Sequence, residues 1–198
     1  MEKRHSKNSG FTLIELIVTV AILAIVSTGL ILSLNIVVSA NARKSAKSCQ
    51  AVLDRCRINA MARSGTDTFV AFYNDANGKA TASYILNNKV IDTETLCNMR
   101  VKGSFDGKPS IGGADVKGDL SSDKMLYVSF NRSNGSLKGF ALGSFYTVGN
   151  DGKVKLPSDI SSLSNYSNTA DAKIIFSGSN RYAVTIDPLT GNISYGST

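Results

Sequence analysis

The residues with the most distinctive chemistry lie at the amino-terminal end, where a short basic leader meets a long apolar run. The leader ends at Gly10, and the sequence 11–38 is almost entirely apolar. This run of about 28 residues exceeds the ~20 that a helix needs to span a bilayer. Its one acid, Glu15, costs about 2.5–3.5 kcal/mol or more in that setting unless it is paired. The position predicts either a pairing partner for Glu15 or a carboxylate that snorkels to the cytoplasmic interface.

The hexapeptide Gly10-Phe11-Thr12-Leu13-Ile14-Glu15 resembles the type III signal motif of type IV pilins and type II secretion pseudopilins. The resemblance implies that a prepilin peptidase cuts between Gly10 and Phe11 and methylates the new amine of Phe11. It also implies that Glu15 neutralises the amino-terminal amine of a neighbouring subunit in a filament. Assembly would then offset the cost of a lone carboxylate in the membrane.

Two other interpretations of this segment stay open. A plain signal anchor would hold the chain in the membrane with a snorkelling Glu15. A secretory signal peptide would be cut after Ala42, because Ala40-Asn41-Ala42 has the small residues that signal peptidase prefers. However, the apolar region of a signal peptide is about 7–15 residues long, and the run here is about twice that length and contains an acid.

The net charge of +7 is distributed unevenly along the 198 residues. The leader and the stretch 43–65 carry the excess of Lys and Arg, whereas 66–198 is nearly balanced. The charge pattern therefore argues against a nucleic-acid-binding head. Lys and Arg flank the apolar run equally on both sides, so the positive-inside rule alone does not orient it. The short leader and the resemblance place the leader in the cytoplasm and the head outside.

A single long helix is predicted to continue beyond the apolar run. Small and apolar residues recur every three or four positions along one face. They are Ala42, Ala46, Cys49, Leu53, Cys56 and Ala60. No Pro or Gly interrupts this pattern before Gly65, so the helix should cover Phe11 to Ser64, about 80 Å at about 1.5 Å per residue.

After Gly65 the pattern changes to short β-prone segments and turns. The segments 69–73, 84–91, 125–142, 174–186 and 193–195 predict strands and hairpins. The stretches 103–123 and 157–171 are rich in Gly, Ser, Asn and Asp and predict surface loops.

Together these patterns and the resemblance predict an α+β, pilin-like fold with a long amino-terminal helix packed on an antiparallel β-sheet head. The predicted domains are a cleaved leader (1–10), a transmembrane helix (11–38), an amphipathic helical stem (39–64) and an extracytoplasmic head (65–198).

Segments of the head resemble the GspH/FimT group of minor pseudopilins. The matching segments are Phe69 to Phe72 after the stem, Val128-Ser129-Phe130 followed by Gly135, and the closing stretch Tyr182 to Ile193. Some FimT-type members bind DNA through basic residues around the final turn. Here that turn reads Gly191-Asn192-Ile193-Ser194, which has no Lys or Arg, so the resemblance does not extend to that function.

The sequence offers little catalytic chemistry. The only histidine is His5, in the leader that should be removed, so Ser-His and Cys-His triads are excluded from the mature chain. No His/Cys cluster has the spacing of a zinc site, and no cofactor or metal is expected. Asp151-Gly152 and the segment 74–78 could bind calcium weakly, but ordinary turns explain both better.

The three cysteines leave two possibilities open. Seven residues separate Cys49 from Cys56, about 10.5 Å along a helix, which exceeds the ~7 Å limit for a disulfide. A bridge would therefore join Cys97 to Cys56 or Cys49. Alternatively, all three are small buried residues.

The predicted function is a minor, pilin-like structural subunit of a type IV pilus or type II secretion pseudopilus, and not an enzyme. The resemblance implies that its partners are other pilin subunits, the prepilin peptidase, a membrane platform with its ATPase, and membrane lipid. It would reside in the cytoplasmic membrane and then in a surface filament. The alternative is a pilus-tip protein for DNA uptake or adhesion, whose head binds a ligand.

Overall fold

A computed structural model describes residues 11–62, 68–97, 101–107, 116–157 and 172–198. Within the helix it does not describe the side chains of 28–34. The leader, the predicted helix end at Gly65 and most of the predicted loop 157–171 lie outside the described residues. The chain divides into two compact units, Met1–Val37 and Val38–Thr198, which are described separately below.

The one helix of the described residues, α1, covers Leu13–Ala62 and so confirms the predicted long helix within that range. In the second unit its predicted apolar face is buried, with exposed fractions between 0 and 5% from Ala42 to Ala60. This pattern confirms that the stem packs on the β-rich head. Among the described residues, no helix combines the length and the apolar character that crossing a membrane requires.

Twelve strands follow α1 in the described residues, and their pairing is antiparallel throughout. In chain order they are β1 (Thr68–Asn74), β2 (Ala80–Leu86), β3 (Lys89–Thr95), β4 (Lys102–Gly107), β5 (Val116–Asp119), β6 (Met125–Phe130), β7 (Leu137–Gly143), β8 (Thr147–Val148), β9 (Val154–Lys155), β10 (Ala172–Ser177), β11 (Arg181–Ile186) and β12 (Ile193–Ser197). The fold is therefore α+β, as the sequence predicts.

Within the described residues, the head contains two five-stranded sheets. Sheet I has the order β3-β2-β1-β6-β7, and sheet II has the order β12-β11-β10-β4-β5. The small hairpin β8-β9 forms a third, two-stranded sheet. The antiparallel pairing agrees with the sequence prediction, but the strand order could not be predicted, because β1 pairs with β6 and β4 with β10 across long sequence separations that local patterns do not reveal.

The main core joins the stem to both sheets. Leu53 and Cys56 of α1 pack in one cluster with Val70 and Phe72 of β1 and with side chains of β10 and β11. Alternate residues of β1 point to the other face of sheet I, where Phe69 packs in a second cluster beside the β8-β9 hairpin. Because the stem supplies core side chains, a head fragment that starts near Gly65 would lack part of its own core.

The predicted hairpins are confirmed, and their turns show why. Asn87 and Asn88 connect β2 to β3 with φ of 54° and 56°, the left-handed pair that a type I′ turn requires. Gly135, in the β6-β7 connection, has a φ of 69°. Asn and Gly adopt the left-handed backbone conformation most readily, so the turn positions could be predicted from the sequence.

The loop predicted over 103–123 is wrong for much of its length. Residues 102–107 form β4 and residues 116–119 form β5. The β4 sequence, Lys-Gly-Ser-Phe-Asp-Gly, has low intrinsic strand propensity. It becomes a strand because β10 pairs with it along five residues and because Phe105 is buried in the main core.

Candidate functional site

The amino-terminal end of α1 is closed by a reciprocal pair of hydrogen bonds between Thr12 and Glu15. The Glu15 amide donates to Thr12 Oγ1 at 3.4 Å, and Glu15 Oε2 accepts from the Thr12 amide at 3.2 Å. The Thr12 hydroxyl also donates to Glu15 Oε2, at 3.1 Å. This is a capping box, and it holds the carboxylate at the positive end of the helix dipole.

The role of Thr12 was missed in the interpretation of the sequence, although its signal is present. Thr12-Leu13-Ile14-Glu15 has the S/T-x-x-E spacing of a capping box immediately before an apolar run. The structure places Glu15 in the first turn of α1, and Phe11, four residues earlier in the chain, is 82% exposed. Gly10 lies outside the described residues, so the two sides of the expected cut are not seen together.

Large apolar side chains project from every side of the helix between residues 11 and 27. Leu16, Ile17 and Val18 are consecutive, point about 100° apart, and are each at least 50% exposed. The hydroxyls in this segment are internally satisfied, since Thr19 Oγ1 donates to Leu16 O at 2.8 Å and Ser27 Oγ to Leu23 O at 2.6 Å. A helix segment with large apolar side chains on every side is typical of one that is buried in apolar surroundings.

The three cysteines are free thiols in the main core, with Cys49 and Cys56 on α1 and Cys97 shortly after β3. Burial raises the pKa of the Cys49 thiol, with a smaller contribution from the Glu94 carboxylate, and burial also raises the pKa of Cys56. Cys97 donates to the carbonyl of Val101 at 3.4 Å. The bridge from Cys97 to Cys56 or Cys49 is not formed in this structure, and thiols kept protonated in this way are poor nucleophiles.

The carboxylates considered for calcium serve turns instead. Asp75 Oδ1 accepts the amides of Asn77 and Lys79 at 2.9 and 2.8 Å, and the Lys79 amide is the main cause that lowers the pKa of Asp75. Asp151 Oδ1 accepts the Lys153 amide at 3.1 Å. Within the described part of the chain, His, Cys, Asp and Glu form no group of three or more suited to a metal ion.

Arg57 of the stem connects the two sheets at the end of the head where α1 ends. Its Nε donates to the carbonyl of Gly135 at 3.1 Å, and its Nη2 donates to the carbonyl of Thr190 at 3.0 Å. Gly135 lies in the β6-β7 turn of sheet I, and Thr190 lies in the β11-β12 turn of sheet II. The amide of Leu137 also donates to Pro188 O at 3.1 Å, so the two turns touch directly.

Replacing Arg57 with Ala should destabilise the head without unfolding it. Two carbonyls would lose a charged donor, and hydrogen bonds to charged groups contribute about 1.5–3 kcal/mol each, of which water would restore part. We expect the free energy of unfolding to fall by about 2 kcal/mol in urea titrations of a fragment starting at Val38. Arg132→Ala is the matched control, because Arg132 is exposed and makes no ion pair in the described residues. Equal losses in both variants would contradict a bridging role for Arg57.

Comparison with protein families identifies the amino-terminal segment. Residues 5–31 match the family model described as the prokaryotic N-terminal methylation motif. The chain carries a type IV pilin-like signal. The match spans the start of α1 with its capping box, and such a motif indicates a pilin-like structural subunit that is a substrate of prepilin peptidase. No curated protein and no solved structure gives a significant match.

Proposed function

We propose that the chain is a minor, pilin-like structural subunit of a type IV pilus or a type II secretion pseudopilus. The observation that carries the proposal is the methylation motif at residues 5–31, located where a 50-residue helix begins. The helix exposes apolar side chains over its first part and buries one face in a β-rich head over its second part. This division suits a subunit that is stored and assembled through its helix and that presents its head.

In this proposal the peptidase cuts between Gly10 and Phe11 and methylates the Phe11 amine. Glu15 then pairs with that amine on a neighbouring subunit. The geometry of Glu15 favours such pairing, because only Oε2 is engaged by Thr12 and Oε1 has no partner in the described residues. The capping box thus presents one carboxylate oxygen in a fixed direction for an incoming ammonium.

We further propose that the full stretch 11–38, including 28–34 with its undescribed side chains, lies in the cytoplasmic membrane before assembly, with the stem (39–64) and head (65–198) outside. Exposed apolar side chains on every side of residues 11–27 support this location. The assembly platform and its ATPase would then move the subunit into a filament on the cell surface. Membrane lipid and other pilin subunits are the surroundings that the helix would occupy in turn.

We place the subunit nearest to the GspH/FimT group among minor pseudopilins. The segments that resemble that group are structurally coherent, since 69–72 lies in β1, 128–130 lies in β6 ahead of Gly135, and 182–193 forms β11, the following turn and the start of β12. The closing turn itself, residues 187–194, contains no Lys or Arg in its sequence, so DNA binding is not part of this proposal.

Processing provides the direct test. Mass spectrometry of sheared filaments or of the membrane fraction should find a mature chain that begins at Phe11 with one methyl group on its amine. Cells without the prepilin peptidase serve as the control and should contain only the chain with its leader. A mature chain that begins at Arg43 would contradict the proposal, because it would identify the apolar run as a secretory signal peptide.

A further inference from the structure

Three cations follow the apolar run on the stem without an acid to balance them. Arg43, Lys44 and Lys47 are all exposed. No acidic residue occurs in the sequence between Glu15 and Asp54. The ion pairs of the described residues are formed by Arg55, Lys117 and Lys153, so the three cations are unpaired there.

The head brings two more cations to the same level along the helix. The β10-β11 turn rests on the beginning of the stem: Asn180 Nδ2 donates to Ser39 Oγ at 3.0 Å, and a Cβ at Gly178 would lie 2.9 Å from the carbonyl oxygen of Val38. Arg181 follows this turn directly.

The strand register places Lys102 at the same end of sheet II as Arg181, with β10 between them. Ser177 of β10 pairs with Arg181 of β11 on one side and with Lys102 of β4 on the other. Both cations are exposed, and neither forms an ion pair within the described residues. The sheet end that contacts the stem at residues 38–39 therefore carries Lys102 and Arg181 together.

We propose that these five residues, Arg43, Lys44, Lys47, Lys102 and Arg181, form a basic patch that binds the phosphates of anionic lipid headgroups. The inference rests on the proposed membrane location of residues 11–38. From Val38, Arg43 lies about 8 Å and Lys47 about 14 Å along the helix axis. Each headgroup layer is about 5–8 Å thick. Arg43 thus lies at that layer, and Lys44 and Lys47 lie within about one further Debye length of ~8 Å.

The position of these cations along the helix axis matters more than the side of the helix from which they project, because lipid surrounds a single membrane helix on all sides. Long Lys and Arg side chains also bend toward phosphates while their methylene groups cover apolar surface. The patch would seat the head on the membrane surface while the subunit is stored, through the turn at Gly178–Asn180 that already rests on the stem. Binding to anionic lipid would explain the excess of basic residues in the stem without any binding to nucleic acid.

Lipid retention by the full chain tests this inference. The chain would be purified in neutral detergent micelles doped with equal amounts of phosphatidylglycerol and phosphatidylcholine, and retained lipids would be counted by native mass spectrometry. We expect the wild type to retain phosphatidylglycerol preferentially. In the triple variant Arg43→Gln, Lys44→Gln, Lys47→Gln, the ratio of retained phosphatidylglycerol to phosphatidylcholine should fall at least about tenfold. Each cation near an anionic surface contributes about fivefold in affinity.

The matched control removes three exposed cations elsewhere, in Lys89→Gln, Arg132→Gln, Lys155→Gln, and should keep the wild-type preference. Equal retention of both lipids by the wild type, or an equal loss in both triple variants, would overturn the basic patch. Extraction of the wild type from vesicles by alkaline carbonate would instead overturn the proposed membrane anchor. A chain that resists carbonate but shows no lipid preference would refute this inference alone.

Discussion

Replacing Gly191 with Ala should unfold the head or come close to doing so. Gly191 has a φ of 64°, and a Cβ on it would overlap the carbonyl oxygen of Gly135. That oxygen belongs to the backbone of the other turn and also accepts Arg57 Nε, so it can move away only if the turn shifts and this hydrogen bond is weakened. We expect a loss of more than about 4 kcal/mol, in the range that only a few mechanisms such as core disruption produce.

Gly152→Ala separates the overlap from the cost of the backbone conformation. Gly152 has a similar φ of 71° but nothing within 4 Å of an added Cβ. Its substitution should cost only about 1–2 kcal/mol, the penalty of the left-handed region for a residue with a Cβ. Urea unfolding of both variants in the fragment from Val38 gives the comparison. Equal midpoints for the two variants would show that the turns of sheets I and II are not in contact in solution.

The contact at Gly191 also shows what the sequence could and could not predict. The turn 187–191 could be predicted, because an Asp at its start commonly accepts the amides that follow. In the structure Asp187 accepts the amides of Leu189 and Thr190, and these hydrogen bonds lower the pKa of Asp187. The contact of this turn with Gly135 and Arg57 could not be predicted from the sequence. Such a meeting depends on how two sheets pack, and Gly191 has a positive φ like that of Gly78, whose surroundings are open.

Strand prediction succeeded where a β-prone sequence or turn chemistry marks the strand and failed where pairing alone makes the strand. β6 is buried along its whole length and its β-prone sequence predicted it. β5 is half-exposed, contains Gly118, and forms against β4. The short β8-β9 hairpin was missed for the same reason, since two residues on each side carry no periodicity.

For the candidate site, the sequence identified the position of Glu15 but not its immediate partner. A lone acid in an apolar run predicts pairing or snorkelling, and both remain predictions. The hydrogen bonds to Thr12 add a third role, that of the helix cap. These roles make different demands on residue 15, because a cap needs only a side-chain oxygen whereas pairing with an ammonium needs a charge.

Glu15→Gln is therefore expected to leave the helix intact and to abolish entry into filaments. Gln serves a capping box as Glu does, so the start of α1 should keep its geometry. The methylated Phe11 amine of the neighbour would, however, face a neutral side chain in a low-dielectric helix bundle. Breaking one side of a buried ion pair typically costs about 3–5 kcal/mol, enough to exclude the variant from assembly. The variant should remain membrane-resident and processed, because the cut lies on the other side of Phe11.

The measurement is the ratio of subunit in sheared filaments to subunit in membranes, for the wild type, Glu15→Gln and Thr12→Ala. Thr12→Ala removes the capping hydroxyl, at a cost of about 0.5–2 kcal/mol to the helix end, but keeps the charge. If pairing dominates, Thr12→Ala should enter filaments nearly as well as the wild type. If Thr12→Ala fails and Glu15→Gln assembles, the carboxylate acts as a helix cap only. Equal incorporation of all three would leave Glu15 without an assembly role, as expected for a snorkelling carboxylate or for a subunit at the filament tip, where no neighbour lies beyond it.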